Sequence, residues 1–204
     1  MEEIKECVGH RPSWDEYFML TAIACSTRAT CHHVKAGCVI VLDKRIIGTG
    51  YNGAPPGITN CLEAGCRKEK LGLNYKDSLN TGTCVGVHAE MNALANLSRL
   101  AHKGASVYIT IFPCHSCAKT LLAYNISRIV YKRAYDESEF EKTKKLFEEA
   151  GVVVEKLDLS PERITKLLFD NPNVDFDVFS KQEKQKKLDE SIKEVNISKD
   201  GISN

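Results

Sequence analysis

The chain has 204 residues, of which 43% are hydrophobic and 27% charged, a composition typical of one globular domain with an extension and not of a disordered or fibrous protein. Its formal net charge is only +1, which disfavours a nucleic-acid backbone as partner. Neither a charged-then-apolar N-terminal leader nor a membrane-length apolar run is present, so we expect a cytoplasmic protein with no membrane partner.

The first half of the chain predicts one helix followed by a β-hairpin. Residues 1–12 are short and polar and indicate a flexible N-terminal segment. Ser13 is a suitable N-cap for a helix with a broad apolar face that runs to about residue 28. Two apolar runs, 37–42 and 45–50, are separated by a two-residue turn and predict the strands of a hairpin.

The second half predicts alternating strands and helices, after an aperiodic stretch at 58–84. The predicted elements are a helix over 88–101, a strand over 105–112, a helix over 115–124, a strand over 127–131, a helix over 139–150 and a strand over 151–154. Such alternation is typical of parallel crossover units. We therefore expect an α/β protein, a three-layer α/β/α sandwich with a mixed sheet of about five strands over residues 13–157. A charged extension, helical or partly disordered, is expected over 158–204.

The strongest chemical pattern pairs His88-Ala89-Glu90 with Pro113-Cys114-His115-Ser116-Cys117. One imidazole and two thiolates are three zinc ligands, which leaves the fourth tetrahedral position to water, whereas closed structural sites use four protein ligands. Glu90 lies close enough to that water to act as a general acid and base without being a ligand. This is the pattern of the zinc nucleobase deaminases. The sequence therefore predicts a catalytic zinc centre with ligands His88, Cys114 and Cys117 and the catalytic residue Glu90.

The remaining cysteines indicate a second metal. Nine cysteines in a cytoplasmic chain favour metal binding over disulfides. Four that lie outside the catalytic set are predicted to hold a structural zinc: Cys31, Cys61, Cys66 and Cys84. Such a closed site would stabilise the aperiodic stretch, and His32 or His33 is an alternative to one thiol. The other interpretation is a buried, reduced cysteine that packs as a small hydrophobe, which we apply to Cys7, Cys25 and Cys38.

Over residues 13–157 the sequence resembles the deoxycytidylate (dCMP) deaminases of the cytidine deaminase superfamily. The resemblance rests on three blocks, 49–57, 88–94 and 108–119, of which the first contains Gly50-Tyr51-Asn52-Gly53. It implies a cytidine deaminase-like fold and hydrolysis of dCMP to dUMP with release of ammonia, which feeds dTMP synthesis. It also implies a homo-oligomer, commonly a hexamer, with the effectors dCTP and dTTP, the latter with Mg²⁺. Family members with an extra structural zinc carry cysteines near the four positions named above.

By the same resemblance, Asn52 contacts the nucleotide and Tyr135 lies near the substrate phosphate. Arg28 and Lys119 are further candidates for phosphate contacts, and Arg99 for a subunit or effector contact. The alternatives are a simple turn at the glycine-rich loop, packing for Tyr135 and solvated side chains for the three cations. Where many relatives have glycine after the Cys-x-x-Cys helix, this chain has Asn125, and both residues tolerate a left-handed helix cap.

Other functions use the same ligands. Zinc deaminases that act on dCTP, on riboflavin precursors, on free bases or on tRNA adenosine share the chemistry, and a tRNA enzyme should show a basic face that this near-neutral chain does not predict. A non-catalytic zinc-stabilised binding module, such as a DNA-uptake or scaffold component, is the alternative from another class. Glu90 argues against it, because a structural site has no use for an acid and base beside an open metal position.

Overall fold

The structure is a computed structural model that describes residues 11–75, 82–97 and 103–169. Within it, the compact unit Pro12–Ser160 contains these helices: α1 (Trp14–Ser26), α2 (Cys61–Ala64), α3 (Arg67–Lys70), α4 (Ala89–Ala95), α5 (His115–Ala123) and α6 (Glu137–Glu149). The strands of the same unit are β1 (Gly37–Leu42), β2 (Arg45–Tyr51), β3 (Ser106–Ile111), β4 (Arg128–Arg133) and β5 (Val153–Lys156). A further helix, α7 (Pro161–Leu168), belongs to a separate unit. The predictions for Cys7, for Arg99 and for most of 1–12 and 158–204 lie outside the described residues.

The five strands form one mixed sheet in the order β2-β1-β3-β4-β5. Strand β1 is antiparallel to both β2 and β3, whereas β3, β4 and β5 are parallel to one another. The β1–β2 turn places Asp43 and Lys44 at φ angles of 49° and 60°, the left-handed geometry that matches the twist of a two-residue hairpin. Helices α5 and α6 supply the crossovers that parallel neighbours require. The prediction of a mixed five-stranded sheet is confirmed.

Helices cover both faces of the sheet. A Cβ built on Gly37 would lie 2.6 Å from the backbone nitrogen of Ser26 in α1, whereas one built on Gly48 would lie 2.8 Å from the carbonyl oxygen of Ala93 in α4. Successive residues of a strand point to opposite faces of the sheet, so Gly37 faces α1 and Cys38 faces the other side. Cys38 pairs with Gly50, which points to the same face as Gly48, so α4 packs on the side of the sheet opposite to α1. The core on the α4 side includes Cys38, Ile40, Val107, Ile109, Ile129, Ala93, Ala118, Leu121 and Phe147, which also places α5 and α6 there. The three-layer prediction is confirmed.

Helix α4 is shorter than the apolar pattern predicts. The pattern extends to residue 101, but the helix ends at Ala95 with Asn96 as its C-cap. The side chain of Asn96 donates to the carbonyl of Thr49 in β2 at 3.2 Å and to the carbonyl of Asn92 at 3.1 Å. The predicted end at residue 101 is therefore wrong: the helix ends where its C-cap residue bonds to β2, although the apolar pattern continues.

Other element boundaries differ by smaller amounts. Helix α6 begins two residues before its predicted start, because the Asp136 carboxylate accepts a hydrogen bond from the backbone of Glu139 and caps it. Strands β4 and β5 each end two residues later than predicted. The stretch 58–84 contains α2 and α3, each of only four residues, which are too short to produce a periodic pattern. Asn125 has a φ of 55°, the left-handed conformation expected of it.

A charged network attaches α1 to the sheet. Arg128 of β4 donates two hydrogen bonds of 2.8 Å to the Asp15 carboxylate, and the Tyr108 hydroxyl donates a third at 2.6 Å. Arg128 also pairs with Glu155 of β5. The guanidinium of Arg128 holds the pKa of Asp15 below its usual value. Among the described residues, no helix is long and apolar enough to cross a membrane.

Candidate active site

The predicted zinc ligands stand at the starts of two helices. His88 is the N-cap of α4, Cys114 is the N-cap of α5, and Cys117 lies in the first turn of α5. Helix α5 follows the carboxyl end of β3, so the thiols lie at that edge of the sheet. The residue before His88 is held by an antiparallel bridge, in which Val87 and Gly53 exchange backbone hydrogen bonds of 2.8 and 3.1 Å.

The donor atoms are spaced for one tetrahedral cation. His88 Nδ1 lies 3.6 Å from Cys114 Sγ and 3.4 Å from Cys117 Sγ. Zinc bonds of about 2.05 Å to nitrogen and about 2.3 Å to sulfur, at a tetrahedral angle, place the two donors about 3.6 Å apart. All three donor atoms lie within 4.8 Å of one another. The residues therefore fit a zinc ion.

The charge distribution of the three side chains also suits a cation. The hydrogen bond from Cys117 and the neighbouring His88 lower the pKa of Cys114, whereas the pKa of Cys117 is raised because it shares that proton with Cys114. The bond to Cys114 raises the pKa of His88. A lowered pKa favours the thiolate, which is the form of cysteine that binds a metal.

Glu90 is a buried carboxyl beside the ligands. Its side chain is only 4% exposed, and it lies in the first turn of α4, two residues after His88. Burial raises its pKa to about 7, against the opposing effects of its backbone hydrogen bond and of the His88 charge. A carboxyl with such a pKa can both accept and return a proton at neutral pH. Of the cysteines interpreted as small hydrophobes, Cys38 is fully buried in the core, whereas Cys25 is half-buried.

The four residues predicted to bind the substrate have different surroundings in the structure. Asn52 accepts a hydrogen bond from the backbone nitrogen of Ala36 at 2.7 Å and donates one to the carbonyl of Val34 at 2.8 Å, so its carboxamide braces the entry to β1. Tyr135 is 49% exposed and lines an open cavity of about 340 Å³ at the start of α6. Arg28 and Lys119 are exposed. The nucleotide contacts of these four residues stay predictions.

A second group of possible metal donors combines Cys66 and His33, which the sequence predicted for a structural zinc, with Glu69, which it did not. Among the described residues, the only other set of three donor atoms within 4.8 Å of one another is His33, Cys66 and Glu69. His33 Nε2 is 3.1 Å from Glu69 Oε1, and the His33 ring stacks on Tyr75 with centroids 4.1 Å apart. The sequence offers one signal for Glu69, its position three residues after Cys66, which is about one helical turn.

The four predicted cysteines are neighbours without forming such a close set in the described structure. The pKa of Cys61 is raised first by burial and then by the charges of Cys31, Cys66 and Cys84, so these thiols lie near enough to interact. Of the four, only Cys66 belongs to a set with donor atoms within 4.8 Å. The four-thiolate site stays a prediction, and the close spacing of His33, Cys66 and Glu69 adds a mixed set of nitrogen, sulfur and oxygen donors as a second candidate.

The sequence is similar to a family of known proteins. The model of the family described as the cytidine and deoxycytidylate deaminase zinc-binding region matches residues 12–133. Deoxycytidylate deaminase of Saccharomyces cerevisiae is 39% identical over 155 residues, which are 74% of this chain and 47% of the yeast protein. Deoxycytidylate deaminase of Mycobacterium phage D29 is 42% identical over 124 residues, which are 60% of this chain and 97% of the phage protein. The chain thus spans about half of the yeast relative and nearly all of the phage relative.

A solved structure shares the fold. The crystal structure of dCMP deaminase from the cyanophage S-TIM5 in complex with dCMP and dUMP superposes with a TM-score of 0.59 at 28% sequence identity. The match covers 72% of this chain and 98% of the cyanophage chain.

Proposed function

The chain belongs to the cytidine and deoxycytidylate deaminase family, and we propose that it hydrolyses dCMP to dUMP and ammonia. The observation that supports this most directly is the spacing of His88 Nδ1 from the two thiols, 3.4 and 3.6 Å, with a buried carboxyl beside them. The names of the yeast and phage relatives support dCMP as the substrate, and so does the bound dCMP of the cyanophage structure.

Three side chains of the site would bind the metal, and a fourth transfers protons. His88, Cys114 and Cys117 would hold zinc, which when bound supplies a water molecule activated as a nucleophile at neutral pH. Glu90 takes a proton from the attacking water at its carboxylate and delivers it to the ring nitrogen next to the reacting carbon. A second proton transfer through Glu90 lets the amino group leave as ammonia. One water is consumed and one ammonia is released for each dUMP formed.

A panel of substrates tests this proposal. Ammonia release is measured with dCMP, dCTP, cytidine, a riboflavin-pathway pyrimidine and tRNA at matched concentrations. We expect dCMP to be the fastest, with turnover by the Glu90→Gln variant lower by at least about 10³-fold. A preference of tenfold or more for another substrate would assign the site to a different deaminase, and no turnover of any substrate would support a binding module.

We further propose that the chain binds a second, structural zinc through His33, Cys66 and Glu69, with one of the other predicted cysteines as the fourth ligand. The mixed donor set is supported by the 3.1 Å approach of His33 to Glu69 and by the donor spacing within 4.8 Å. Elemental analysis of the purified protein should find two zinc ions per chain. The Glu69→Ala variant should retain one zinc and measurable turnover, whereas two retained ions would exclude Glu69 as a ligand.

The assembly and its regulation are proposed from the family resemblance. A homo-oligomer, commonly a hexamer, would be activated by dCTP and inhibited by dTTP with Mg²⁺, in the cytoplasm. Light scattering gives the size of the assembly. Turnover at subsaturating dCMP, with each effector added in turn, shows whether the regulation operates. A monomer unaffected by either nucleotide would contradict both parts.

A further inference from the structure

Asn92 links the catalytic helix to the neighbouring edge strand. It lies on α4 two residues after Glu90, and its Nδ2 donates a 2.6 Å hydrogen bond to the carbonyl oxygen of Tyr51, the last residue of β2. Both residues are half-buried, so the bond is partly shielded from water. Strand β2 is at the edge of the sheet, where its carbonyl groups need partners other than a further strand.

Two more contacts join the end of β2 and the residues after it to the start of α4. Gly53 pairs with Val87, directly before His88, through backbone hydrogen bonds in both directions. Gly50 packs so closely on α4 that a Cβ built on it would lie 2.9 Å from the carbonyl carbon of Asn92. Residues 50–53 therefore contact the segment 87–92 on both sides of His88 and Glu90, and the Asn92 carboxamide provides the side-chain hydrogen bond among these contacts.

We propose that Asn92 is a positioning residue for the reaction: by binding the Tyr51 carbonyl, it fixes the first turn of α4 so that His88 and Glu90 keep their places opposite the two thiols. Loss of the bond lets this turn move relative to α5, which carries Cys117. A misplacement of about 1 Å in a catalytic group costs about 100-fold in rate. The kinetic part of the proposal rests on the proposed dCMP deaminase function, whereas its effect on the geometry of the metal site does not.

The chain offers a matched control in Asn96. It is the same residue type at the C-cap of the same helix, and its Nδ2 donates to the carbonyl of Thr49 in the same strand at 3.2 Å and to the carbonyl of Asn92 at 3.1 Å. It lies one turn further from Glu90 and from the metal ligands. Removing either bond loosens the contact between α4 and β2, but only Asn92 acts next to the catalytic residues.

The test compares the Asn92→Asp and Asn92→Ala variants with Asn96→Asp and Asn96→Ala in the full chain. Aspartate has the shape of asparagine but lacks the N–H donor, and a negative charge in the first helical turn is favourable, so the Asn92→Asp variant should fold. We expect both Asn92 variants to lose about 30- to 100-fold in kcat with KM for dCMP within about threefold of the parent, at equal zinc content. The cobalt-substituted Asn92 variants should also show shifted d–d absorption bands, which report the geometry of the ligands.

The Asn96 variants should keep kcat within about threefold of the parent and leave the cobalt bands unchanged, with a smaller loss in Tm because the Asn96 bond is exposed to water. Equal effects of the Asn92 and Asn96 variants on kcat and on the cobalt bands would overturn the proposal, and so would an Asn92→Asp variant with parental kcat and bands. Failure of both Asn92 variants to fold would also overturn it, because the bond would then serve the fold alone. If the parent protein does not act on dCMP, the proposed function fails, whereas the cobalt bands still decide the role of Asn92.

Discussion

The Gly50→Ala variant tests whether the distance between β2 and α4 controls catalysis. A Cβ on this residue would lie less than 3.0 Å from the carbonyl oxygen of Ala89, from the nitrogen of Ala93 and from the carbonyl carbon of Asn92, whereas ordinary contacts begin at 3.4 Å. All three atoms belong to helix backbone, so no flexible side chain can move aside. The helix must therefore move away from the strand by about 1 Å, and Glu90 moves with it.

The size of the effect follows from that displacement. A shift of about 1 Å in Glu90 should lower kcat about 100-fold, because proton transfer requires the carboxylate within hydrogen-bond reach of its partners. Overpacking should also lower the free energy of unfolding by about 1–3 kcal/mol. The Gly151→Ala control has a different physical basis: its φ is +72° and nothing lies within 4 Å of the added Cβ. It should cost about 1 kcal/mol through the left-handed backbone and leave kcat unchanged.

The assay is ammonia release at saturating dCMP from proteins matched for zinc content, together with urea unfolding of each variant. Kinetics are measured at a temperature where all three proteins are more than nine-tenths folded. A Gly50→Ala variant with kcat within about threefold of the parent would refute the reasoning, because the closest strand–helix contact in the site would then have no effect on chemistry. A matching loss in the Gly151→Ala variant would show that reduced stability alone lowers kcat.

Three further predictions concern the site and the fold. The Glu90→Gln variant should lose at least about 10³-fold in kcat with unchanged zinc content, because the amide cannot accept the proton from water, and parental turnover would reject the assignment. The Cys114→Ser variant should release zinc on dialysis and lose activity, whereas parental zinc affinity would exclude Cys114 as a ligand. The Arg128→Met variant should lose about 1 kcal/mol of unfolding free energy at pH 7, a value limited by solvent screening because the Asp15 side chain is 36% exposed. Since Arg128 depresses the pKa of Asp15 in the folded state, this stabilisation is present above about pH 4 and is lost as the pH falls through the lower folded-state pKa. The difference between parent and variant in urea unfolding should therefore shrink at pH 3, and an unchanged difference would contradict the ion pair.

Local sequence signals predicted most of the elements because their causes are local. Ser13 and Glu16 form the capping box that starts α1, and the two-residue turn between two apolar runs forms the hairpin. Local signals did not predict α2 and α3, which are single turns, or the end of α4. There the C-cap residue Asn96 bonds to β2, a tertiary contact that the local pattern does not contain.

The candidate catalytic site could be recognised from the sequence because each half of it lies within one helical turn. His88 and Glu90 share the start of α4, and Cys114 and Cys117 share the start of α5, so their spacing along the chain already determines which side chains are neighbours. What the sequence alone determined was which residues form the candidate site, a histidine, two cysteines and a glutamate at the starts of two helices, and the zinc chemistry predicted for them.

Only the tertiary structure decided how residues distant in sequence meet. It directs the Asn52 carboxamide toward residues 34 and 36, brings the Tyr51 carbonyl to Asn92, and places His33 and Glu69 beside Cys66. The physical reason is that such contacts depend on the register of β1 with β2 and on the close packing of α4 against glycines. Neither of these leaves a periodic signal in the chain.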